Sequence, residues 1–436
     1  MRWTRNARVV AGLASWLLLS SAIPAVAGAQ RRGASFRDAA AALARGDYAE
    51  AERLFAQVAE AAPEHPIVLH QYARAQALAG HPEAALATLE RALARGAGHD
   101  ADRDSAFAAL WPHPGFAPLR ATIEARRRPV RTSAEAFTIA ERDLVPEGIA
   151  YDPKGRRFFV GSLHKGTIVA VSAADTAARR TPHAFVRLPL PVVVGLEVDP
   201  ERRRLWAAAG TPQAGALDSL QGRSTLFAID ADRGAVVQSW SLGGPGERHF
   251  FNDVAVARDG SAYVSDTDGG AVFRARVGRL ELEVIAPPGT HPFANGLALS
   301  ADERLLYVAS GLGLQAIELA TGQATAVAGA PEPLMGIDGL VRHGCDLVAI
   351  QNALGPARVL RLRLGQGGRT VERVEVLEAN HPLFEGVPTT GTLVDRDFHY
   401  IANSELRRLA PQGGLAGLDG IREPVILRTA LGDPRC

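Results

Sequence analysis

Two kinds of hydrophobic periodicity divide this chain. From residue 34 to about residue 128, apolar residues recur at helical spacing in an alanine-rich stretch. From about residue 132 to residue 432, short apolar runs alternate with turn residues. Helical spacing indicates amphipathic helices, whereas short alternating runs indicate β-strands. We therefore predict a small all-α domain, residues 34–128, followed by a mainly β domain, residues 132–432.

The helical stretch contains a repeat with an offset of 34 residues. Each copy carries a glycine, a small residue and a large apolar residue at the same positions: Gly46, Ala51 and Phe55, then Gly80, Ala85 and Leu89. The small residues let antiparallel helices approach closely, and each glycine ends the first helix of a pair. This offset and these residue types resemble the tetratricopeptide repeat. Such a segment serves either to bind a protein partner or to cap the main domain, and the sequence leaves both readings open.

The β half repeats one motif six times. Each copy contains an alternating apolar segment and reaches a second strand-like run after a turn, and four of the six copies open with a carboxylate or amide side chain. The copies begin at Glu147, Val194, Asn252, Asn295, Asp338 and Thr390, at spacings of 47, 58, 43, 43 and 52 residues. Units of this length have room for four strands, so six copies predict a six-bladed β-propeller. A β-sandwich is the alternative, but a sandwich would not repeat one motif six times.

Strand-like segments also lie at both ends of the β half. One spans residues 136–140 before the first copy, and the other spans residues 424–431 after the last. We expect one end of the chain to complete the blade of the other, which would close the ring.

The first residues of the six copies should surround the central channel, because the innermost strand of each blade runs beside it. Four of them bear carboxylate or amide oxygens: Glu147, Asn252, Asn295 and Asp338. Any one of the Asn-Gly or Asp-Gly pairs, taken singly, is explained as a turn. Four polar residues in one register instead predict a shared site. Two carboxylates in a channel repel unless a cation joins them, and carboxylate and amide oxygens suit a hard divalent ion.

At these residues the chain resembles the propeller family of senescence marker protein (regucalcin) and gluconolactonase and, more distantly, the paraoxonases. The resemblance covers the propeller half, and its motifs are Pro146-Glu147-Gly148-Ile149, Phe251-Asn252-Asp253, Ala294-Asn295-Gly296-Leu297 and Ile337-Asp338-Gly339-Leu340. It implies a divalent metal, often calcium, held by Glu147, Asn252, Asn295 and Asp338, and hydrolysis of a lactone or related ester. It also implies that Asp338 doubles as the general base. The chain departs from paraoxonases at Val194, where those enzymes place a catalytic histidine.

Other polar residues near the predicted channel mouth are candidates for substrate contacts. Arg248, His249 and His291 lie on loops just before ring residues, although each also suits a solvated loop. Asp253 either orients Asn252 through a hydrogen bond or is a turn residue.

Composition and charge exclude some classes of protein. Lys and Arg total 48 and Asp and Glu total 47, for a net charge of +1, which argues against a general nucleic-acid binder. The chain has two cysteines, Cys345 and Cys436, too few for a disulfide-dense scaffold or a cysteine-based zinc cluster. A single bridge is conceivable, but the strand-like surroundings of Cys345 favour a small buried side chain. Phosphate-cradling or dinucleotide-binding glycine motifs do not occur.

The N-terminus carries features of an export signal. Arg2, Arg5 and Arg8 precede an apolar run over residues 9–23, and small residues suited to cleavage follow at 25–29. We predict a signal peptide at residues 1–29 and a secreted or periplasmic mature protein. An uncleaved membrane anchor is the alternative, and no later stretch reaches the ~18 apolar residues that a membrane span needs.

Two functional hypotheses follow from these patterns. The first is an exported metal-dependent hydrolase whose substrate is a small lactone or ester. The second is a propeller that keeps its metal for structure and serves as a scaffold for a ligand or protein partner, which the helical segment would support. The residue patterns leave the substrate, the identity of the divalent ion and the oligomeric state open.

Overall fold

A computed structural model describes residues 36–189, 192–211, 222–244, 247–409, 415, 417–434 and 436. The predicted signal peptide, residues 1–29, lies outside these residues. The described chain divides into two compact units, one up to Arg128 and one that begins at Pro129. No helix within the described ranges is long and apolar enough to cross a membrane.

The first unit is helical. Its elements are α1 (Phe36–Ala44), α2 (Tyr48–Ala61), α3 (Pro66–Leu78), α4 (Pro82–Ala94), a 3-10 turn (Ser105–Leu110) and α5 (Phe116–Arg126). Ala51 and Ala85 are fully buried where successive helices pack. Gly46 and Gly80 follow α1 and α3 with φ of +80° and +87°, a conformation that favours glycine. The predicted helix–turn–helix repeat is therefore confirmed, and its small residues lie where two helices approach.

The second unit is a six-bladed β-propeller, and this prediction is also confirmed. Before the first blade lie β1 (Val130–Arg131), β2 (Ala134–Ile139) and a 3-10 turn (Arg142–Leu144). Blade 1 consists of β3 (Pro146–Asp152), β4 (Arg157–Ser162), β5 (Thr167–Ser172) and, after β6 (Arg179–Arg180), β7 (His183–Arg187). Blade 2 consists of β8 (Val192–Asp199), β9 (Arg204–Gly210), β10 (Ser224–Asp230) and β11 (Val236–Leu242).

The remaining blades repeat the same antiparallel order. Blade 3 consists of β12 (Phe251–Val256), β13 (Ala262–Asp266), β14 (Ala271–Ala275) and β15 (Glu283–Ala286). Blade 4 consists of β16 (Leu297–Leu299), β17 (Leu305–Ser310), β18 (Gly313–Glu318) and β19 (Ala324–Ala326). Blade 5 consists of β20 (Ile337–His343), β21 (Asp346–Gln351), β22 (Arg358–Leu364) and β23 (Val371–Ala379), to which β1 is added. Blade 6 consists of β24 (Gly391–Val394), β25 (Asp397–Ile401) and β26 (Val425–Ala430), with 3-10 turns at Pro382–Gly386 and Leu406–Arg408.

The ring closes through the two ends of the β half, as the sequence predicts. In blade 6, β26 pairs antiparallel with β2, so an N-terminal strand completes the last blade. The hydroxyl of Thr390 in blade 6 also donates a hydrogen bond to the main-chain oxygen of Glu147 in blade 1. Both links cross the point where the propeller would otherwise open.

The hydrophobic core of the propeller lies between neighbouring blades. Successive side chains of a strand point to opposite faces of the sheet. A blade that is packed between two neighbouring blades is therefore apolar on both of its faces. Trp206 and Trp240 of blade 2 pack with Phe251 and Phe273 of blade 3 in one such layer. Comparable layers hold the other blades in place around the channel.

The two cysteines form a disulfide bond, so the expectation of a free buried Cys345 is wrong. Cys345 lies in the turn between β20 and β21 and is half-buried, and its Cα is 4.9 Å from that of Cys436. The bond spans 91 residues of sequence and ties the C-terminal residue to blade 5. The residues around Cys345 have a strand-like pattern, but Cys345 itself lies in the hairpin turn between two strands. That position leaves its side chain accessible to a distant partner.

Candidate functional site

Four of the six ring residues lie in an irregularity of the innermost strand of their blade, whereas Asn295 and Thr390 lie just before β16 and β24. In blades 1, 2, 3 and 5 the pairing register shifts across the ring residue and the one after it: Glu147-Gly148, Val194-Gly195, Asn252-Asp253 and Asp338-Gly339. Such a β-bulge redirects a side chain out of the regular alternation. The same irregularity in four blades explains why the ring residues keep one register around the channel.

The glycines that follow ring residues permit close packing at the axis. A Cβ at Gly148 would lie less than 3.0 Å from the main-chain oxygen of Val194 in the next blade, and one at Gly195 would meet that of Asn252 in the same way. Gly296 stands in the same relation to Asp338. The Asn-Gly and Asp-Gly pairs are therefore explained by contact between blades and not by turn formation.

Asp253 occupies the position that glycine holds in the other blades. Its carboxylate accepts hydrogen bonds from the main-chain N–H of Val254 at 2.9 Å and from that of Leu297 in blade 4 at 2.8 Å. Asp253 therefore joins blade 3 to blade 4, which differs from both roles expected of it, a turn residue or a partner of Asn252.

Three of the four polar ring residues carry a buried side-chain oxygen without a hydrogen-bond partner. Among described residues, five buried side-chain oxygens lack a hydrogen-bond partner, and three of them are Glu147 Oε2, Asn252 Oδ1 and Asn295 Oδ1. A buried polar atom without a partner costs about 1–3 kcal/mol. Three such atoms from one ring are costly in isolation, and a bound cation would satisfy all three.

Both amide nitrogens of the ring donate hydrogen bonds to other side chains, which leaves the amide oxygens for another partner. Asn252 Nδ2 donates to Thr267 Oγ1 at 3.0 Å, and Asn295 Nδ2 donates to Asp338 Oδ1 at 3.0 Å. The second oxygen of Asp338 accepts a hydrogen bond from Asn352 Nδ2. Because each amide has one end fixed by a donor bond, its oxygen is held ready for a different partner.

Burial and mutual repulsion disfavour the ionised carboxylates in the absence of a cation. Burial raises the pKa of Glu147 well above its usual range, and the charges of Asp338 and Asp253 raise it further. Burial raises the pKa of Asp338 to about 6, although the amide hydrogen bonds from Asn352 and Asn295 oppose that shift. A divalent ion would reverse this balance, because it favours the charged form of both groups.

The residues present fit a hard divalent cation. They offer two carboxylates and two amide oxygens, the ligand types that calcium and magnesium take. In the described part of the chain no cluster of three or more His, Cys, Asp or Glu side chains is placed to hold a metal, and the ring itself has two such side chains, its other ligand candidates being amides. The ring fits calcium or magnesium on its donor chemistry.

The three predicted substrate contacts have different surroundings. Arg248 is exposed. His249 is half-buried, and its Nδ1 lies 2.5 Å from Oδ2 of the fully buried Asp266. The ring of His291 is buried, its Nε2 has no hydrogen-bond partner, and burial lowers its pKa to about 4. His291 is therefore a neutral buried side chain, whereas His249 is oriented by a carboxylate.

Sequence reasoning missed the residues that orient the ring. Asn352 follows β21 and bonds both Asp338 and the main-chain oxygen of Pro388, at 2.8 Å for the latter. Thr267 follows β13 and receives the amide of Asn252. Both lie just beyond the second strand of a blade, which antiparallel pairing brings back to the level of the ring residue. The available signal was a polar residue directly after the second strand of blade 3 and of blade 5.

A further acidic side chain, Glu197, borders a small cavity. Glu197 and Asp253 line a cavity with apolar neighbours such as Ile149 and Val341. The volume of this cavity that the centre of a water molecule can reach is about 10 Å³, which is room for about one water. Burial raises the pKa of Glu197 to about 7, so this carboxyl is partly protonated near neutral pH.

Comparisons with known proteins concern the two units separately. A tetratricopeptide repeat family model matches residues 42–110, which lie in the helical unit. No curated protein matches the sequence.

Solved structures resemble the chain only in fold. A gluconolactonase from Xanthomonas campestris is 18% identical, with coverage of 70% of this chain and 92% of that one and a TM-score of 0.45. A PQQ-bound aldose sugar dehydrogenase from Streptomyces coelicolor is 16% identical, with coverage of 69% and 97% and a TM-score of 0.46. A virginiamycin B lyase from Staphylococcus aureus is 15% identical, with coverage of 62% and 80% and a TM-score of 0.42. These three proteins have different activities, so the likeness says nothing about the chemistry of this chain.

Proposed function

We propose that this protein is an exported, divalent-metal-dependent hydrolase of a lactone or related ester. The observation that carries the proposal is the set of three unpartnered buried oxygens on Glu147, Asn252 and Asn295, beside the carboxylate of Asp338. The resemblance of the ring motifs to the regucalcin and gluconolactonase family supports the choice of reaction. Calcium is the ion that this resemblance favours.

In this proposal four ring residues bind the ion, and one of them also takes part in the reaction. Glu147, Asn252, Asn295 and Asp338 would hold the ion. A bound divalent ion would polarise the substrate carbonyl and lower the pKa of water. Asp338 would accept the proton of the attacking water, and Asn352 would hold Asp338 in position through its amide. Val194 offers no ligand atom in its side chain, and the Thr390 hydroxyl is engaged by Glu147, so both leave room for substrate.

The first experiment measures metal content and metal-dependent melting of residues 30–436. The wild type is compared with Glu147→Gln combined with Asp338→Asn. The control is Glu281→Gln combined with Asp419→Asn, which removes the same charges from exposed positions. We expect one ion per chain and a higher melting temperature with calcium in the wild type and the control. If the ring variant responds to calcium as the control does, the metal site is wrong.

The second experiment tests catalysis directly. Wild type with bound metal is assayed on a panel of lactones and esters, and Asp338→Asn is assayed at the same metal occupancy. Loss of turnover in a variant that still folds supports the general-base role. A wild type that binds metal but hydrolyses no member of the panel contradicts the enzyme proposal.

Export rests on separate support. The N-terminal residues have the composition of a signal peptide, and a disulfide between Cys345 and Cys436 suits an oxidising compartment. The N-terminal sequence of the protein recovered from the native host tests this. A start near residue 30 supports export, and an intact Met1 in the cytoplasmic fraction contradicts it.

The helical unit favours one alternative function, a binding scaffold. A tetratricopeptide repeat match over residues 42–110 is the specific observation, because such repeats commonly bind partner proteins. In that case the ring metal would be structural. Asp338→Asn would then lower thermal stability without any activity being lost, since the wild type would have none.

A further inference from the structure

We infer that His249 and Asp266 form a proton-donating pair for the leaving group of the substrate, a role that rests on the proposed hydrolysis. Asp266 is fully buried, and His249 is partly exposed, with 17% of its side chain accessible. The distance between His249 Nδ1 and Asp266 Oδ2 is 2.5 Å. A buried carboxylate on one ring nitrogen fixes the tautomer, so the proton that His249 could transfer is the one on Nε2.

Asp266 is held so that it cannot turn away from the histidine. Its Oδ1 accepts hydrogen bonds from the main-chain N–H of Phe250 at 2.8 Å and of Gly269 at 3.0 Å. These bonds leave Oδ2 for His249. The geometry is that of a fixed carboxylate that orients an imidazole, an arrangement found where histidine transfers protons.

The pair lies at the same end of blade 3 as the metal ring. Asp266 and Thr267 are consecutive residues at the end of β13; Asp266 holds His249, and Thr267 receives the amide of Asn252. The N–H of Thr267 also donates to the main-chain oxygen of Phe250, between His249 and Asn252 in sequence. One short segment therefore positions both a ring residue and the histidine.

The charges around His249 favour its protonated form. The hydrogen bond to Asp266 raises the pKa of His249 above its usual value, and the nearby Glu247 and Asp268 act in the same direction, while partial burial opposes them. His291, the other histidine near the ring, is buried and neutral. Of these two histidines, His249 is the one whose surroundings favour the protonated form.

The proton inventory of the reaction is complete with this assignment. Water attacks the carbonyl carbon, a C–O bond forms, and Asp338 takes one water proton. The bond from the carbonyl carbon to the leaving oxygen then breaks, and His249 Nε2 gives its proton to that oxygen. The product is a hydroxy acid or an acid and an alcohol. Solvent returns a proton to His249 and removes one from Asp338, so no other reactant is needed.

The test compares leaving groups of different basicity with metal-loaded full-length mature protein. The variants are His249→Gln and Asp266→Asn, and the control is His183→Gln, an exposed histidine on β7. The substrates are an alkyl ester or lactone, whose leaving oxygen needs a proton, and an aryl ester of the same acid, whose leaving oxygen does not. A merely structural role would lower both rates equally.

We expect His249→Gln to lower kcat on the alkyl substrate about 100-fold and on the aryl ester less than about 5-fold, the range of general-acid catalysis. Asp266→Asn should shift the alkaline limb of the pH–rate profile to lower pH. Equal losses on both substrates, or none, overturn the role of the pair while leaving the hydrolysis intact. Failure of the wild type to hydrolyse either substrate overturns the proposed function and this role together.

Discussion

Asn295 donates its side-chain N–H to Asp338 across the boundary between blades 4 and 5, at 3.0 Å. The bond fixes the amide so that its oxygen, which has no hydrogen-bond partner in the structure, is left for another ligand. One side chain thus links two blades and supplies a donor atom to the proposed metal. The ring depends on contacts between blades as much as on the residues themselves.

Asn295→Asp should make folding more dependent on metal. A carboxylate in place of the amide would face Asp338 without the hydrogen bond, and the two charges would repel. We expect the metal-free variant to lose about 1–3 kcal/mol of unfolding free energy. Saturating calcium should recover most of that loss. Denaturant melts with calcium and with chelator measure both values, and an equal loss in the two conditions would contradict the site.

Asn352→Ala should weaken metal binding without removing a ligand. Asn352 holds one oxygen of Asp338, and loss of such an orienting partner typically costs 10–100-fold in metal affinity. The matched control is Asn403→Ala, because Asn403 also bonds main-chain groups after the second strand of a blade, in blade 6. Calorimetric titration with calcium compares the two. Equal affinities would show that Asn352 does not act on the ring.

Gly195→Ala should destabilise the propeller. A Cβ there would lie less than 3.0 Å from the main-chain oxygen of Asn252, so the two innermost strands must separate. We expect a loss of about 1–3 kcal/mol in unfolding free energy, typical of overpacking. Gly244→Ala is the control, since a Cβ at Gly244 meets nothing within 4 Å. A Gly195 variant as stable as the Gly244 variant would mean that the strands tolerate the added methyl group.

Reduction of the disulfide between Cys345 and Cys436 should lower stability. The bond closes a long loop of the unfolded chain, with a sequence separation of 91, and such bonds typically contribute about 2–4 kcal/mol. Melting is measured with and without reductant. Cys436→Ser should melt like the reduced wild type and should not respond to reductant. A reductant effect of the same size in both proteins would assign the change to something else.

His399 should make the protein less stable in acid. Burial lowers the pKa of His399 to about 4 in the folded protein, whereas the unfolded chain has the usual value of ~6.5. The unfolded chain therefore binds the proton more tightly than the folded protein does. The stabilising contribution is complete above ~6.5 and is lost as pH falls toward the folded pKa, because the unfolded state then takes up the proton.

The corresponding variant is His399→Phe, which removes the titrating group from blade 6. Between pH 7 and pH 4.5 the wild type should lose about 2 kcal/mol more unfolding free energy than the variant. His183→Phe, at an exposed position, is the control and should follow the wild type. Parallel curves for the wild type and His399→Phe would place the acid sensitivity elsewhere.

The repeated motif predicted much of the candidate site. Glu147, Asn252, Asn295 and Asp338 were identifiable because equivalent positions of a closed repeat surround one axis. Their orienting partners were not identifiable in the same way. Asn352 and Thr267 follow the second strands of their blades, and nothing in their local sequence shows which ring residue they contact.

The sequence by itself determined the two units, the number of blades and the register of the ring. These features depend on local periodicity and on a repeat, both of which are readable along a chain. Only the tertiary structure decided that Cys345 pairs with Cys436, that Asp253 bridges blades 3 and 4, and that Asp266 holds His249. The physical reason is that these contacts depend on where separate strands end and how closely neighbouring blades approach, which the periodicity of a single segment does not contain.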